Sequence, residues 1–113
     1  MPEKPLLWVG ASYEAVRRFP KEARRKAGYQ LHRVQTGLEP QDWKPMPKVG
    51  PGIREIRIHS GRAFRILYLA SYPEGVYVLH AFEKRTQRTN KLDLDVARER
   101  LKAVHLIRLS YEV

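Results

Sequence analysis

The chain reads as an α+β protein, a small and mainly antiparallel sheet packed by helices, in the order β-α-α-β-β-β-α. Three observations lead there. A short apolar run and two helical stretches fill the first third, a hairpin and a further strand fill the middle, and an amphipathic helix follows. Helices grouped ahead of consecutive hairpins give segregated layers rather than alternating βαβ units. No internal repeat points to a solenoid. At 113 residues there is room for one domain, residues 1–113, with a real core. Apolar residues at 42% place it among globular chains rather than disordered ones.

Each element has a local cause. "LLWV" (Leu6 to Val9) is a continuous apolar run and reads as a buried strand ended by Gly10. Ser12 suits the cap of a short helix through about Phe19, and Pro20 suits the first turn of a second one running to about Thr36. Phe19, Ala23, Ala27, Leu31 and Val34 recur at helical spacing as the inner stripe, with Gly37 as the stop. "EPQDWKPMPKVGPG" (Glu39 to Gly52) has four Pro, two Gly and no period, so a loop is expected, pinned to the body by Trp43. "IREIRIHSGRAFRILYL" (Ile53 to Leu69) reads as two strands around a turn. "GVYVLHAFEK" is a third strand after the turn "YPEG". Leu94, Ala97, Leu101 and Val104 predict a helix from about Leu92 to Val104, capped by Asn90 or Asp93. "HLIRLSYEV" remains as a final strand or a loose tail.

Charge and absences narrow the function. Twenty-two Lys and Arg against twelve Asp and Glu give +10, the electrostatic footprint of a protein that binds nucleic acid or another polyanion. With no Cys, thiolate zinc sites and cysteine nucleophiles are excluded, and His32, His59, His80 and His105 have no ligand-like spacing. No metal or cofactor is implied. No apolar run reaches membrane-spanning length, and the start lacks the pattern of a signal peptide. A cytoplasmic location without membrane attachment is the expectation. On the second helix and just ahead of it, Arg17, Arg18, Lys21, Arg24, Arg25, Lys26 and Arg33 stand against a lone Glu22. This one-sign surface is either a solvated face or a seat for a polyanion.

The hairpin raises the sharper question, because it carries Arg54, Arg57, Arg62 and Arg65 among its Ile and Leu. Register decides which of these are neighbours. A two-residue loop at Ser60 and Gly61 would pair Arg57 with Phe64 and mix polar with apolar on both faces. A three-residue loop, Ser60 to Arg62, pairs Ile58 with Phe64 and Ile56 with Ile66, and is preferred. Arg57 then lies opposite Arg65. With "YPEG" as a four-residue loop, Leu67 faces His80, Arg65 faces Phe82 and Ala63 faces Lys84. One face thereby collects Arg57, Arg65, Lys84, His59, His80 and Phe82. Like charges directly opposite each other destabilise a sheet. The cost makes sense if the face receives a phosphate, which guanidinium forks match, with Phe82 or Tyr68 offering a surface for a base. The alternative is that long Arg stems snorkel to local carboxylates such as Glu55 and Glu83.

The order of elements, the stretch "GIREIRIHSGRAFRILYL", the following "VYVLHAFEKRTQRT" and the closing "DLDVARERLKAV" resemble the RelE/ParE superfamily of toxins from type II toxin–antitoxin systems, in particular the phage-derived, HigB-like branch. The resemblance spans roughly Leu6 to Val104 and implies a RelE-like fold. For members that cut mRNA on the ribosome, it implies a basic concave sheet that holds the scissile phosphate. Its cations fall here on Arg57, Arg65 and Lys84 as catalytic residues, with Arg54 of "REIR" as an accompanying arginine. His59, His80 and Phe82 are expected at the RNA, and Arg24 and Arg25 on ribosomal RNA phosphates. Some ribonuclease members carry a Tyr near the last helix, whereas "TQRTNKLDLD" has none.

The implied activity is a metal-independent endoribonuclease, an mRNA interferase that inhibits translation by using the RNA's own 2′-hydroxyl as nucleophile. Its partners would be mRNA, the ribosome and a cognate antitoxin of neutral to acidic charge. Two other readings stand beside it. A ParE-like chain would poison a topoisomerase, and a non-catalytic module would bind nucleic acid without turnover.

Overall fold

The computed structural model of the chain describes residues 3–111. Its elements are β1 (Leu6–Trp8), α1 (Ser12–Arg17), α2 (Lys21–Gln35), β2 (Trp43–Pro45), β3 (Ile53–Ser60), β4 (Arg62–Leu69), β5 (Val76–Lys84) and α3 (Lys91–Ser110). The five strands form one sheet in the order β1-β5-β4-β3-β2. Among the described residues only the β1–β5 pairing is parallel, so the expected α+β class with a mainly antiparallel sheet is what the chain adopts.

The register of the central hairpin follows from its apolar pattern. Ile58 pairs with Phe64, Ile56 with Ile66 and Arg57 with Arg65, as the three-residue loop requires. Gly61 sits in that loop at φ 72°, a left-handed conformation that glycine adopts without a Cβ clash. Across β4 and β5, Leu67 meets His80, Arg65 meets Phe82 and Ala63 meets Lys84. Nearer the other turn the "YPEG" loop is longer than expected. A bulge shifts the register so that Tyr68 meets Val78 and Leu69 meets Tyr77, which leaves residues 70–75 as the connection.

Two apolar layers result from this alternation. On one face Ile56, Ile58, Phe64, Ile66 and Tyr68 pack with Phe19, Ala23, Ala27, Leu31 and Val34, the predicted stripe of α2. Phe19 and Phe64 lie 4.8 Å apart between ring centroids. On the other face Ile53, Leu67, Leu69 and Leu79 pack with Ala97, Leu101 and Val104 of α3. Each fully buried Leu or Ile side chain contributes about 1.5–3 kcal/mol relative to exposure.

Four local expectations change. The strand β2 lies within the segment read as a loop, pairing Trp43 with Ile56 and Lys44 with Glu55. Three residues bounded by prolines are too few to show a period of two. β1 is a half-buried edge strand rather than a buried one. Ser12 does not cap α1, since Ala11 holds that position and the buried Ser12 hydroxyl instead accepts from the Val9 amide at 3.1 Å. Finally, α3 runs past Val104 to Ser110, so the "HLIRLSYEV" stretch is neither strand nor tail as far as Tyr111, and its last two residues lie outside the described ones. Asn90 caps this helix by accepting from the Leu92 amide at 2.8 Å.

Candidate nucleic-acid interface

The helix α3 covers only part of its face of the sheet. Beyond it, strands β2 to β5 continue, and their side chains change character from apolar to charged. Arg57 of β3, Arg65 of β4 and Lys44 of β2 converge on Glu55, whose carboxylate has no exposed surface. The distances to Glu55 Oε1 are 3.5 Å from Arg65 Nε and 3.9 Å from both Arg57 Nε and Lys44 Nζ. Lys84, opposite Ala63 and one same-face position beyond Phe82, adds a fourth cation. Glu55 thus stands between the like charges whose pairing looked unfavourable, and explains how Arg57 and Arg65 can lie opposite each other.

One carboxylate does not neutralise four cations. Arg65 Nη1 donates to the Phe64 carbonyl at 3.0 Å, while among the described residues the buried Nε atoms of Arg57 and Arg65 and Glu55 Oε1 form no well-aligned hydrogen bond. Buried polar groups of this kind are normally paired, and here the ion pairs with Glu55 hold both Nε atoms while the part of the Arg57 side chain that stays exposed can meet an incoming acceptor. Burial is the largest influence on Arg65 and lowers its pKa against the raising effect of Glu55. Lys84 is lowered too, first by burial and then by the nearby Arg65, with Glu55 acting in the opposite sense.

Exposure divides the cluster into two kinds of group. Arg65 is 6% exposed and Glu55 fully covered, so both belong to the floor. The side chains of Arg57 and Lys44 keep 34% and 39% of their surface open. The connection between β5 and α3 closes one side, where the Thr89 hydroxyl donates to Glu55 Oε2 at 3.3 Å. A groove of about 540 Å³ between Lys44, Lys48, Arg88 and Thr89 leads up to these cations.

Other expected site residues are placed elsewhere. Arg54 is on the opposite face, where its guanidinium lies 4.1 Å from the Trp43 ring centroid and 3.7 Å from Glu39. Its strand neighbour Glu55, not Arg54, faces the cluster. His80 shares the face but sits beside α3: its Nε2 meets Asp93 Oδ1 at 2.7 Å and its Nδ1 meets Arg100 Nη1 at 3.4 Å. With one nitrogen donating to a carboxylate and the other facing a guanidinium, the neutral Nε2–H tautomer fits. Burial lowers the His80 pKa, the Asp93 contacts opposing it. Phe82 stacks on that imidazole at 5.2 Å and lies opposite Arg65, between the covered and charged regions. Tyr68 belongs to the α2-side core at 1% exposure.

His59 is exposed at the sheet edge, 3.4 Å from Asp42. Arg24 and Arg25 lie on α2, on the other layer, where Arg24 donates to the Arg17 carbonyl and Arg25 pairs with Glu22 at 2.6 Å. Arg62 pairs with Glu83 at 2.9 Å, so the snorkelling alternative holds for that arginine. Two members of the cluster were missed as site residues in the sequence. Lys44 was hidden by the unseen β2, and Glu55 was visible only as a possible local counter-ion.

No curated protein matches the chain. The family model described as phage derived protein Gp49-like (DUF891) matches residues 14–102, a span holding α2, β2 to β5 and every residue of the charged cluster. Gp49-like proteins are generally associated with RelE-like toxins. With most of its length matched and the α+β architecture that such toxins have, the chain belongs to the phage-derived Gp49-like family.

Proposed function

We propose that this chain is the toxin of a type II toxin–antitoxin system, of the HigB-like kind, and that it cuts mRNA on the ribosome. The observation that carries the reading is the half-open cationic cluster of Arg57, Arg65, Lys84 and Lys44 around one buried carboxylate. Family membership supports the toxin class, and the cluster supports phosphate chemistry within it.

In this reading Arg57 and Lys84 grip the scissile phosphate, and Arg65 on the floor meets the charge that grows on its oxygens as the 2′-hydroxyl attacks. Preorganised donors aimed at developing charge are worth about 10²–10³ in rate each. The 2′-hydroxyl gives up its proton to solvent water as its oxygen forms a new bond to phosphorus, and the bond to the 5′-oxygen breaks, leaving a cyclic phosphate. The leaving 5′-oxygen needs a proton. Lys84 is the donor in this scheme, because burial and the neighbouring Arg65 make its ammonium more acidic than a free one. Glu55 acts as a positioning residue that keeps Arg57, Arg65 and Lys44 converged. In line with the charge reading, the cations of α2 and the groove by Lys48 and Arg88 would hold the RNA and ribosome by phosphate contacts. A neutral to acidic antitoxin would inhibit by covering the cationic face.

The test is mRNA cleavage in a translating extract, mapped by primer extension, beside the same RNA free of ribosomes. Cuts that require ribosomes support the proposal. Intact mRNA in an extract exposed to a growth-arresting preparation of the protein would reject it in favour of a topoisomerase poison.

A further inference from the structure

A second concavity, of about 560 Å³, opens at the sheet edge, where α2 of the other layer meets the end of β3 and Arg57. It exists because β2 stops pairing at Trp43 and Ile56, so the rest of β3 has no strand on its outer side. The segment before β2 and helix α2 wall it instead. Lys26 Nζ donates to the His59 carbonyl at 2.8 Å, and the Arg57 amide to the Asp42 carbonyl at 2.9 Å. Gln30 and Gln41 lock the back wall, Gln30 Nε2 donating to Gln41 Oε1 at 2.8 Å and the Gln41 amide to Gln30 Oε1 at 2.9 Å.

Three features suit a nucleobase. The size falls within the roughly 300–1,000 Å³ of small-molecule sites. Tyr29, at 53% exposure, lines the concavity and makes no aromatic pairing among the described residues, so its ring is available for stacking. Arg57 belongs both to this lining and to the phosphate cluster, so one nucleotide can span the two.

We propose that this depression is a base subsite, which takes the nucleobase adjoining the phosphate held on the cations and prefers guanine. The proposal rests on the ribonucleic-acid reading of the cluster. Its selectivity comes from Asp42, an acceptor-only group at the rim beside His59. Guanine presents N1–H and the N2 amino group side by side to a carboxylate. Adenine and cytosine set an acceptor next to their amino group, and uracil flanks its single N–H with two carbonyls.

The experiment needs no cleavage. Isotope-labelled protein is titrated with two uncleavable 2′-O-methyl trinucleotides that differ only in a central G or U, and side-chain resonances of Gln30, Gln41 and His59 are followed. The G-containing probe is expected to shift all three and to bind at least 5-fold more tightly. Tyr29→Ala should weaken both probes by about 5- to 10-fold, and Asp42→Asn should bring the two affinities together. Binding that leaves these resonances unmoved, or equal affinity for both probes in the unaltered protein, overturns the subsite. Either failure leaves mRNA cleavage in the extract intact. Conversely, shifts here without any cleavage would retain the subsite and reject the nuclease.

Discussion

Two halves of one sheet face behave differently although the same strands build both. Under α3, Ile53, Leu67, Leu69 and Leu79 meet Ala97, Leu101 and Val104 in a dry layer. A few residues along the same strands, Arg57, Arg65 and Lys84 gather around Glu55 without a helix above them. The covered half gains from apolar burial, which is nondirectional and tolerant of detail. The charged half gains little net stability, since desolvating ions roughly cancels their attraction, while removing one partner of a buried pair is expensive. On the proposed function, stability and binding are therefore separated along the strand axis.

The largest test of this contrast is to remove the floor. Arg65→Ala leaves the fully buried Glu55 short of its nearest cation and should cost about 3–5 kcal/mol, read as the urea midpoint with unchanged slope. The accompanying loss of RNA cleavage would then partly reflect unfolding, so this variant is a poor test of chemistry. Leu101→Ala in the covered half should cost about 2–5 kcal/mol by leaving a cavity, yet folded molecules should bind RNA as before. If Leu101→Ala abolishes RNA binding at matched folded fraction, the two halves are not separate.

A smaller effect concerns the boundary between them. The folded His80 has a pKa below its ordinary 6.5, so the unfolded chain takes up its proton first as pH falls. The stability linked to this neutral imidazole is fully present above about pH 6.5 and is lost on acidification through the folded pKa. Urea midpoints at pH 7.5 and 5.5 should therefore differ more for the native chain than for His80→Gln. A steeper dependence in the variant would reverse the assignment.

The smallest effect is expected on the far layer. Arg25→Gln removes one exposed cation paired to Glu22, and should change stability by less than about 0.5 kcal/mol. If that arginine touches a ribosomal phosphate, the slope of log affinity against log salt should fall by about 0.7–0.9. An unaltered slope would show that Arg25 makes no phosphate contact.

Much of this arrangement was legible in the sequence, for reasons that also show where reading stops. The Arg57–Arg65 and Ala63–Lys84 pairings followed from alternation in β3, β4 and β5, because a one-residue slip would have exposed Ile56 and Phe64. Nothing local announced β2, since Trp43–Pro45 is held by pairing to β3 rather than by its own pattern. The extension of α3 was equally hidden: Leu106, Ile107 and Leu109 are exposed, so the buried stripe that marked the helix ends at Val104. Glu55 looked like a local counter-ion, and only the convergence of three strands makes it the centre of the site. Arg54 shows the opposite failure, because its motif suggested the RNA face while its strand parity placed it against Trp43.

The most direct measurement compares Lys84→Ala and Arg57→Ala with the unaltered protein in the translating extract, after urea unfolding has shown all three to be folded. Both residues lie at the edge of the cluster rather than on its floor. Each variant should stay within about 1 kcal/mol of the original stability while ribosome-dependent cutting falls by about 100-fold or more. Cutting at the original rate by both folded variants would contradict the claim that this half of the sheet is the RNA-cleaving site.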